Sequence, residues 1–254
     1  METTTAHYAH TAVESLTGKR ILITGGTTGI GRAIAVLLGS YGAHIITFGR
    51  QQQALDEALD AIRAAGGQAD GLIADSSKAD DIKRLFAFAD EKLGGLDVLV
   101  NNAALGAESL SEMSDTDWRY VIETNLIGYM ATAKEALNRM QPQKHGHIVL
   151  IGSMSADVRE AGSSVYVATK SAIQGFAESL RKEVNPDGIK VSLVEPGAVG
   201  SDMQDTTSDE ERDKQASGEM LRAEDIAVAV HYILTQPRRC DVVSIQIRPH
   251  LQLI

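Results

Sequence analysis

The sequence predicts an α/β fold, a doubly wound parallel sheet of about seven strands with helices on both faces, in a single domain. Short apolar runs alternate with segments of helical periodicity along the chain. A glycine-rich turn follows the first apolar run and precedes the first helical segment. The length of 254 residues, with 43% hydrophobic residues, suits one large domain with a substantial core.

The strands and helices can be placed in chain order from these patterns. The predicted strands are residues 20–24, 44–48, 69–74, 96–101, 147–152, 189–194 and 242–247, and the predicted helices are residues 29–41, 51–65, 78–93, 114–140, 163–184 and 223–235. Gly42 and Gly66-Gly67 are placed to end helices, and Ser114 and Ser163 to cap them. Ligands of such sheets bind beyond the carboxyl ends of the strands, so we expect one shared site there.

Composition excludes several classes of partner. The formal net charge of −10 argues against nucleic acid and an anionic membrane, because both attract basic surfaces. Cys240 is the single cysteine, and His145 and His147 have no nearby carboxylate, so we predict neither a disulfide nor a metal site. Residues 1–16 lack the apolar run of a signal peptide, and no stretch approaches about 18 apolar residues. We predict an N-terminal tail at 1–16 and a cytoplasmic protein.

The glycine-rich turn runs Thr24-Gly25-Gly26-Thr27-Thr28-Gly29-Ile30-Gly31. Between a strand and a helix, this turn places free backbone N–H groups at a positive helix end, where a pyrophosphate can bind. Gly25 lets the chain turn, Gly29 lets a cofactor approach, and Gly31 lets the helix pack against the strand. The alternative is a glycine-rich turn without a ligand.

Ser153, Tyr166 and Lys170 form a candidate proton-transfer group. On a helix over 163–184, Tyr166 and Lys170 are four residues apart and project from the same face. The ammonium is expected to favour the phenolate and to lower the pKa of Tyr166 from its reference value of about 10. Ser153 would orient a carbonyl or alcohol while Tyr166 exchanges a proton with its oxygen. Ser155, two residues further on, would share the strand face with Ser153 if the strand continued.

From about Leu16 to its end, the chain resembles the short-chain dehydrogenase/reductase family. Six motifs carry the resemblance in the family's order: Thr24 to Gly31, Asn101-Asn102-Ala103-Ala104 with alanine replacing the usual last glycine, Asn125, Ser153, the pair Tyr166 and Lys170, and Pro196-Gly197-Ala198-Val199. The resemblance implies a single NAD(P)-binding catalytic domain of Rossmann type over residues 17–254.

The resemblance also implies roles for particular residues. Asn125, Ser153, Tyr166 and Lys170 are the expected catalytic residues. Lys170 would bind the ribose next to the nicotinamide, and Asn125 would hold a water that links Lys170 to solvent. Cofactor contacts are expected from Gly25, Thr27, Thr28, Gly29, Ile30, Gly31, Arg50, Asp75, Ser76, Asn102, Ala103, Tyr166, Lys170, Pro196, Gly197 and Val199.

The second strand indicates which cofactor is preferred. An NAD enzyme usually has an acidic residue at the end of this strand, whereas this chain has Gly49-Arg50. An arginine pairs with a 2′-phosphate, so NADP(H) is favoured over NAD(H). Many NADP-preferring relatives also carry a basic residue where this chain has Thr28, so dual specificity stays open. Asp75 is expected to contact the adenine amino group or, alternatively, to cap helix 78–93.

Residues 201–222 are polar and follow the Pro-Gly loop. They form either a solvated surface loop with a short helix or, as we favour, a substrate lid that excludes water. By resemblance, helices 114–140 and 163–184 would pair with a symmetry mate, giving a homodimer or homotetramer. Trp118 and Tyr120 are expected to be packing residues rather than substrate contacts.

The C-terminal segment contains Ile245-Gln246-Ile247-Arg248-Pro249 and resembles that of NADP-dependent 3-hydroxy acid and serine dehydrogenases. Those relatives act on small polar β-hydroxy acids, and Arg159 would then face a substrate carboxylate or, alternatively, solvent. The predicted function is an NADP(H)-dependent carbonyl reductase or alcohol dehydrogenase acting on CH–OH groups of a small molecule. An epimerase or enoyl reductase, and a non-catalytic dinucleotide sensor, are the alternatives.

Overall fold

A computed structural model describes residues 12–200 and 207–252. Seven parallel strands form one sheet in the order β3-β2-β1-β4-β5-β6-β7. The strands are β1 Arg20–Ile23, β2 His44–Gly49, β3 Gln68–Ile73, β4 Val98–Asn101, β5 Gly146–Ile151, β6 Ile189–Pro196 and β7 Ser244–Ile247. The predicted fold is confirmed, and the strand order reverses between β1 and β4, where such sheets bind ligands.

Helices cover both faces of this sheet. They are α1 Gly29–Ser40, α2 Gln52–Ala64, α3 Ala79–Leu93, α4 Asp115–Ile122, α5 Gly128–Gln143, α6 Ser155–Val158, α7 Ser164–Val184, α8 Ser208–Ser217 and α9 Ala223–Leu234. A short 3₁₀ segment, Asn185–Asp187, follows α7. Across residues 12–200 and 207–252, no helix has both the length and the apolar character needed to cross a membrane.

Alternation along the strands divides the core into two layers. Leu22, Ile46 and Leu99 pack against α3, α5 and α7 on one face. Their strand neighbours Ile21 and Ile45 pack against α1, α2 and α9 on the other face. Burial of each of these side chains contributes about 1.5–3 kcal/mol to the free energy of unfolding. The two apolar layers therefore fix the sheet between its helices, and the polar residues at its carboxyl edge are left to form the site.

Several predicted elements differ from the structure; among the strands, β4 begins at Val98 rather than at 96 and β6 extends to Pro196 rather than to 194. The predicted helix 114–140 is interrupted by a π-helical turn, Glu123–Ile127, between α4 and α5. The apolar periodicity continues through this turn, which is why the sequence pattern did not reveal it. The last strand begins at Ser244 rather than at 242, and α6 was not predicted.

The two predicted caps have different outcomes. Ser114 caps α4, because its hydroxyl accepts a hydrogen bond from the Asp117 backbone N–H. Ser163 precedes α7 but makes no capping hydrogen bond, and its hydroxyl donates instead to Glu160. On α7, Ile173 and Leu180 belong to the core, and Phe176 packs against it.

The predicted lid at 201–222 is only partly described, because residues 201–206 lie outside the described residues. Thr207 begins α8 with a reciprocal capping box with Glu210. A bridge between Val199 and Leu221 returns the segment to the end of the Pro-Gly loop. Most of the predicted N-terminal tail, residues 1–11, also lies outside the described part.

Candidate active site

The glycine-rich turn lines a cavity of about 180 Å³ at the carboxyl edge of the sheet. Gly25 and Gly29 have φ values of 64° and 51°, a region that glycine adopts without strain. Thr28 precedes α1 without a side-chain cap, and the first turn of α1 contains no acidic residue. The first N–H groups of α1 are therefore donors suited to an anionic group such as a pyrophosphate.

The end of β4 holds this turn in place. The Thr24 hydroxyl oxygen accepts hydrogen bonds from the backbone N–H groups of Asn102 and Ala103, at 2.8 and 2.9 Å. The Asn102 amide donates to the carbonyls of Thr24 and Gly25 at 3.1 and 3.2 Å. A Cβ on Gly25 would lie only 2.9 Å from the Ala103 Cα, so the close approach of the two segments requires glycine.

Ser153, Tyr166 and Lys170 lie together on a second cavity of about 500 Å³. Pro196, Gly197 and Val199, at the end of β6, also line it. The two cavities share the lining residues Ile30, Asn102 and Ala104, so they are parts of one cleft. The structure therefore brings together the residues that the sequence had placed at separate strand ends.

Lys170 is deeply buried in this cleft. The residue is only 2% exposed, and its Nζ donates a hydrogen bond to the Ile151 carbonyl at 2.9 Å. Burial lowers the pKa of Lys170 to about 7, because no described carboxylate offsets the desolvation of the ammonium. The lysine is thus near its titration point at neutral pH.

The pKa of Tyr166 moves in the direction opposite to the sequence prediction. Burial raises it, the Ser153 hydroxyl acts to lower it, and the Glu160 carboxylate raises it further. The Lys170 Nζ lies 5.5 Å from the centre of the Tyr166 ring. The prediction considered the charge of the Lys170 ammonium but not the burial of the two side chains. Burial disfavours the phenolate of Tyr166, and it also disfavours the charged form of Lys170.

Tyr129 supports Lys170 and was missed by the sequence analysis. It is fully buried, its hydroxyl donates to the same Ile151 carbonyl at 3.1 Å, and its ring lies 5.5 Å from the Lys170 Nζ. Burial raises the pKa of this phenol, and the neighbouring Tyr166 phenol raises it as well. Its spacing of four residues after Asn125 was the signal available in the sequence.

Asn125 lies in the π-helical turn and is completely buried. Its Oδ1 accepts a hydrogen bond from the Leu105 backbone N–H at 2.7 Å, and its Nδ2 donates to the Leu105 carbonyl at 2.8 Å. A longer contact, 3.4 Å, reaches the Thr169 hydroxyl on α7. Asn125 therefore fastens the loop after β4 to the helix that carries Tyr166, while its predicted role with a water stays a prediction.

Arg50, Tyr120 and Asp75 form a chain at the outer end of the cleft. Arg50 donates to the Tyr120 hydroxyl at 3.0 Å, and that hydroxyl donates to Asp75 Oδ2 at 2.8 Å. Tyr120 lines the cavity of the glycine-rich turn and does more than pack there, while its expected lack of a substrate contact stays a prediction. Sequence patterns do not reveal these two contacts, because the paired residues are 45 and 70 positions apart.

Asp75 does not cap α3, which begins after Lys78. Its Oδ1 accepts hydrogen bonds from the Ser77 backbone N–H and hydroxyl at 2.9 and 2.8 Å. Burial acts to raise the pKa of Asp75, but the bonds from Ser77 and Tyr120 and the charge of Arg50 lower it overall. Asp75 and Ser76 both line the cavity.

Three candidate residues lie outside the lining of the two cavities. Gly31 packs beneath the turn, where a Cβ would collide with the Gly25 carbonyl. Asn125 is completely buried and is bound to the backbone of Leu105. Arg159 is exposed, and its Nε donates to the Ala156 carbonyl at 3.2 Å. Within residues 12–200 and 207–252, no group of three or more His, Cys, Asp or Glu side chains is arranged to hold a metal.

Fold and cleft together define an α/β protein of the dinucleotide-binding type. A sequence model described as short chain dehydrogenase matches residues 19–212. An uncharacterized oxidoreductase of Staphylococcus aureus (strain MRSA252) is 33% identical over 235 residues, which cover 92% of this chain and 98% of the relative. The 3-oxoacyl-[acyl-carrier-protein] reductase FabG of Haemophilus influenzae is 34% identical over 221 residues, or 85% of this chain and 90% of that protein.

Solved structures show the same similarity. A metagenomic short-chain oxidoreductase in complex with NADP has a TM-score of 0.81 and 30% identity, with 94% of this chain and 100% of that one covered. A short chain dehydrogenase from Burkholderia cenocepacia J2315 in complex with NADP has a TM-score of 0.81 and 28% identity, covering 92% and 98%. The chain belongs to the short-chain dehydrogenase/reductase family of oxidoreductases.

Proposed function

We propose that this chain is an NADP(H)-dependent oxidoreductase that transfers a hydride between the nicotinamide and a small carbonyl compound or alcohol. One observation carries the proposal: Ser153, Tyr166 and Lys170 line a cavity that is continuous with the cavity of the glycine-rich turn. A dinucleotide bound along this cleft would have its phosphates at α1 and its reactive end beside Tyr166.

The residues of the cleft fit such a cofactor. The uncapped first turn of α1 offers N–H donors to the pyrophosphate, and Arg50 has guanidinium N–H groups beyond the one that it donates to Tyr120. β2 ends at Gly49 and is followed by Arg50, so no carboxylate at that strand end would repel a 2′-phosphate. The NADP in two similar solved structures supports the same choice. When bound, the nicotinamide supplies or accepts the hydride.

The chain itself supplies the proton and the alignment. Ser153 and Tyr166 would donate hydrogen bonds to the substrate oxygen as negative charge develops on it. Because burial raises its pKa, the phenol of Tyr166 is protonated at neutral pH and can give its proton to the oxygen during reduction. Lys170, with a pKa of about 7, is suited to return a proton to the tyrosine.

Two further assignments belong to the same proposal. Residues 201–222 act as a substrate lid. The second cavity, lined by Ser153, Tyr166 and Lys170, is the substrate cavity, and the described part of the lid from Thr207 onward contributes no residue to its lining. The protein forms a homodimer or homotetramer through α5 and α7. The exposed side chains of Ile127 and Met130, 52% and 39% exposed, support an interface at the start of α5.

The test is the absorbance of reduced nicotinamide during incubation with a panel of ketones, aldehydes and hydroxy acids. We expect NADPH to be consumed with some of the ketones or aldehydes, and kcat/KM to be higher with NADPH than with NADH. Binding of NADPH without oxidation by any member of the panel would indicate a dinucleotide sensor and contradict the proposed reaction.

A further inference from the structure

The substrate cavity carries an oriented carboxylate that the proposed reaction does not use. Glu160 follows α6 and lines this cavity together with Ser153, Tyr166 and Lys170. Its Oε1 accepts hydrogen bonds from the hydroxyls of Ser155 and Ser163, at 2.7 and 3.3 Å. Both serines also line the cavity. Two hydroxyl groups that donate to the same oxygen therefore hold the carboxylate at the rim of the cavity.

The second oxygen of this carboxylate is available for a ligand. Among the described residues, none donates a hydrogen bond to Oε2 of Glu160, and no Lys or Arg forms an ion pair with the side chain. Glu160 is exposed, so the oxygen is hydrated until a substrate replaces the water. A carboxylate held in this way is a ready acceptor for a cationic N–H group.

The remaining charges of the cavity do not cancel Glu160. Among the lining residues that the structure describes, the other ionisable side chains are Tyr166 and Lys170. Lys170 lies at the floor, is bound to the Ile151 carbonyl, and has a pKa of about 7, so it carries only part of a charge at neutral pH. Arg159, the expected partner for a substrate carboxylate, is exposed outside this lining. The charge at the rim of the cavity that contains Tyr166 is thus negative.

The charge of Glu160 also acts at the reacting position. It contributes to the raised pKa of Tyr166, so its field extends to the phenol that would bind the substrate oxygen. A substrate with its carbonyl oxygen at Tyr166 would place its far end toward the rim where Glu160 lies. An anionic far end would be repelled there and a cationic one attracted.

We propose that the substrate of this site is a carbonyl compound or alcohol that carries a protonated amine, and that Glu160 recognises the ammonium group. The proposal rests on the proposed function and specifies its substrate class. Of the relatives named for the C-terminal resemblance, it fits the serine dehydrogenases, whose substrate carries an ammonium group, and not those that act on a hydroxy acid without an amine.

Three ketones of one length and shape provide the test: 5-(dimethylamino)pentan-2-one, which is cationic at neutral pH, its uncharged isostere 6-methylheptan-2-one, and the anion 5-oxohexanoate. We expect kcat/KM with NADPH to be about fivefold higher for the cation than for the uncharged ketone, which corresponds to a partly exposed ion pair. The anion should fall below the uncharged ketone by a similar factor.

The variant Glu160→Gln keeps the size of the side chain and an acceptor for both serines. Each ratio is taken against the uncharged ketone with the same enzyme, so a change in overall activity cancels. Both ratios should move close to one in Glu160→Gln and remain unchanged in the control Glu91→Gln, which alters an exposed carboxylate on α3 outside this cavity. In the wild type, added salt should reduce the preference for the cation.

The outcomes separate the two proposals. If none of the three ketones nor any carbonyl in the wider panel oxidises NADPH, the proposed function fails. If the uncharged ketone is reduced but the cation has no advantage, or the advantage persists in Glu160→Gln, the reductase stands and the inference about Glu160 is wrong. A preference for the anion would also overturn it and would favour a hydroxy acid substrate.

Discussion

The two ends of the cleft control charge by different means. At the inner end, Lys170 and Tyr166 are shifted chiefly by burial, which disfavours their charged forms. At the outer end, Arg50 and Asp75 remain charged and are joined through the Tyr120 hydroxyl. The inner end therefore sets proton affinities by excluding water, whereas the outer end holds charges in place by direct hydrogen bonds. Mutations at the two ends should accordingly change different quantities.

The largest expected effect is at the inner end. Tyr166→Phe removes the proposed proton donor, and turnover should fall by about 10²–10⁴-fold, the usual contribution of a general acid. The affinity for NADPH should change little. Steady-state kinetics and NADPH titration measure the two quantities, and Tyr232→Phe, at an exposed tyrosine on α9, is the matched control. Retention of more than about a tenth of the wild-type turnover would contradict the assigned role.

The second prediction tests whether burial sets the pKa of Lys170. The unfolded lysine titrates near 10.5 and the folded one near 7, so between these values the unfolded chain binds more protons. Stability must therefore rise with pH over this window. From pH 7 to pH 9 we expect the free energy of unfolding to rise by about 2–3 kcal/mol relative to Lys170→Met, which lacks the titrating group.

Urea unfolding at several pH values measures this difference. Buried His147, whose pKa is lowered to about 3, is present in both proteins, so its small contribution near pH 7 cancels in the comparison. Equal slopes in the wild type and in Lys170→Met would mean that water or a counter-charge offsets the burial of the lysine. The contrast between the two ends of the cleft would then be lost.

The sequence predicted those features that depend on short segments. The seven strands follow from apolar runs, and the glycine-rich turn follows from residues 24–31, where chain geometry requires glycine. Tyr120 was not recognised as a site residue, because Arg50 and Asp75 come near it only in the folded chain. Glu160 is close in sequence to Ser155, Ser163 and Tyr166, but it lies in the loop between α6 and α7, where no periodicity reveals which way a side chain points. The pKa direction of Tyr166 was wrong for a related reason: the spacing of Tyr166 and Lys170 revealed the neighbouring charge but not the depth of burial.

At the outer end, Arg50→Ala should act on cofactor choice. Loss of a charge-assisted contact to the 2′-phosphate should raise the KM for NADPH by about tenfold or more and leave that for NADH nearly unchanged. Arg119→Ala, an exposed arginine that stacks on Trp118, is the control for a general loss of positive charge. An equal rise for both cofactors would show that Arg50 acts on the shape of the cleft and not on the phosphate.

The smallest effect is expected for Tyr120→Phe, because the hydroxyl positions Arg50 and is not itself proposed to bind the phosphate. Its removal costs the hydrogen bonds with Arg50 and Asp75 and should raise the KM for NADPH by about three- to fivefold, with kcat unchanged. In the Arg50→Ala background the same substitution should have no further effect on NADPH, since the group it positions is gone. Additive effects in this double-mutant cycle would mean that Tyr120 contacts the cofactor independently. The outer end would then recognise its ligand by packing as well as by charge.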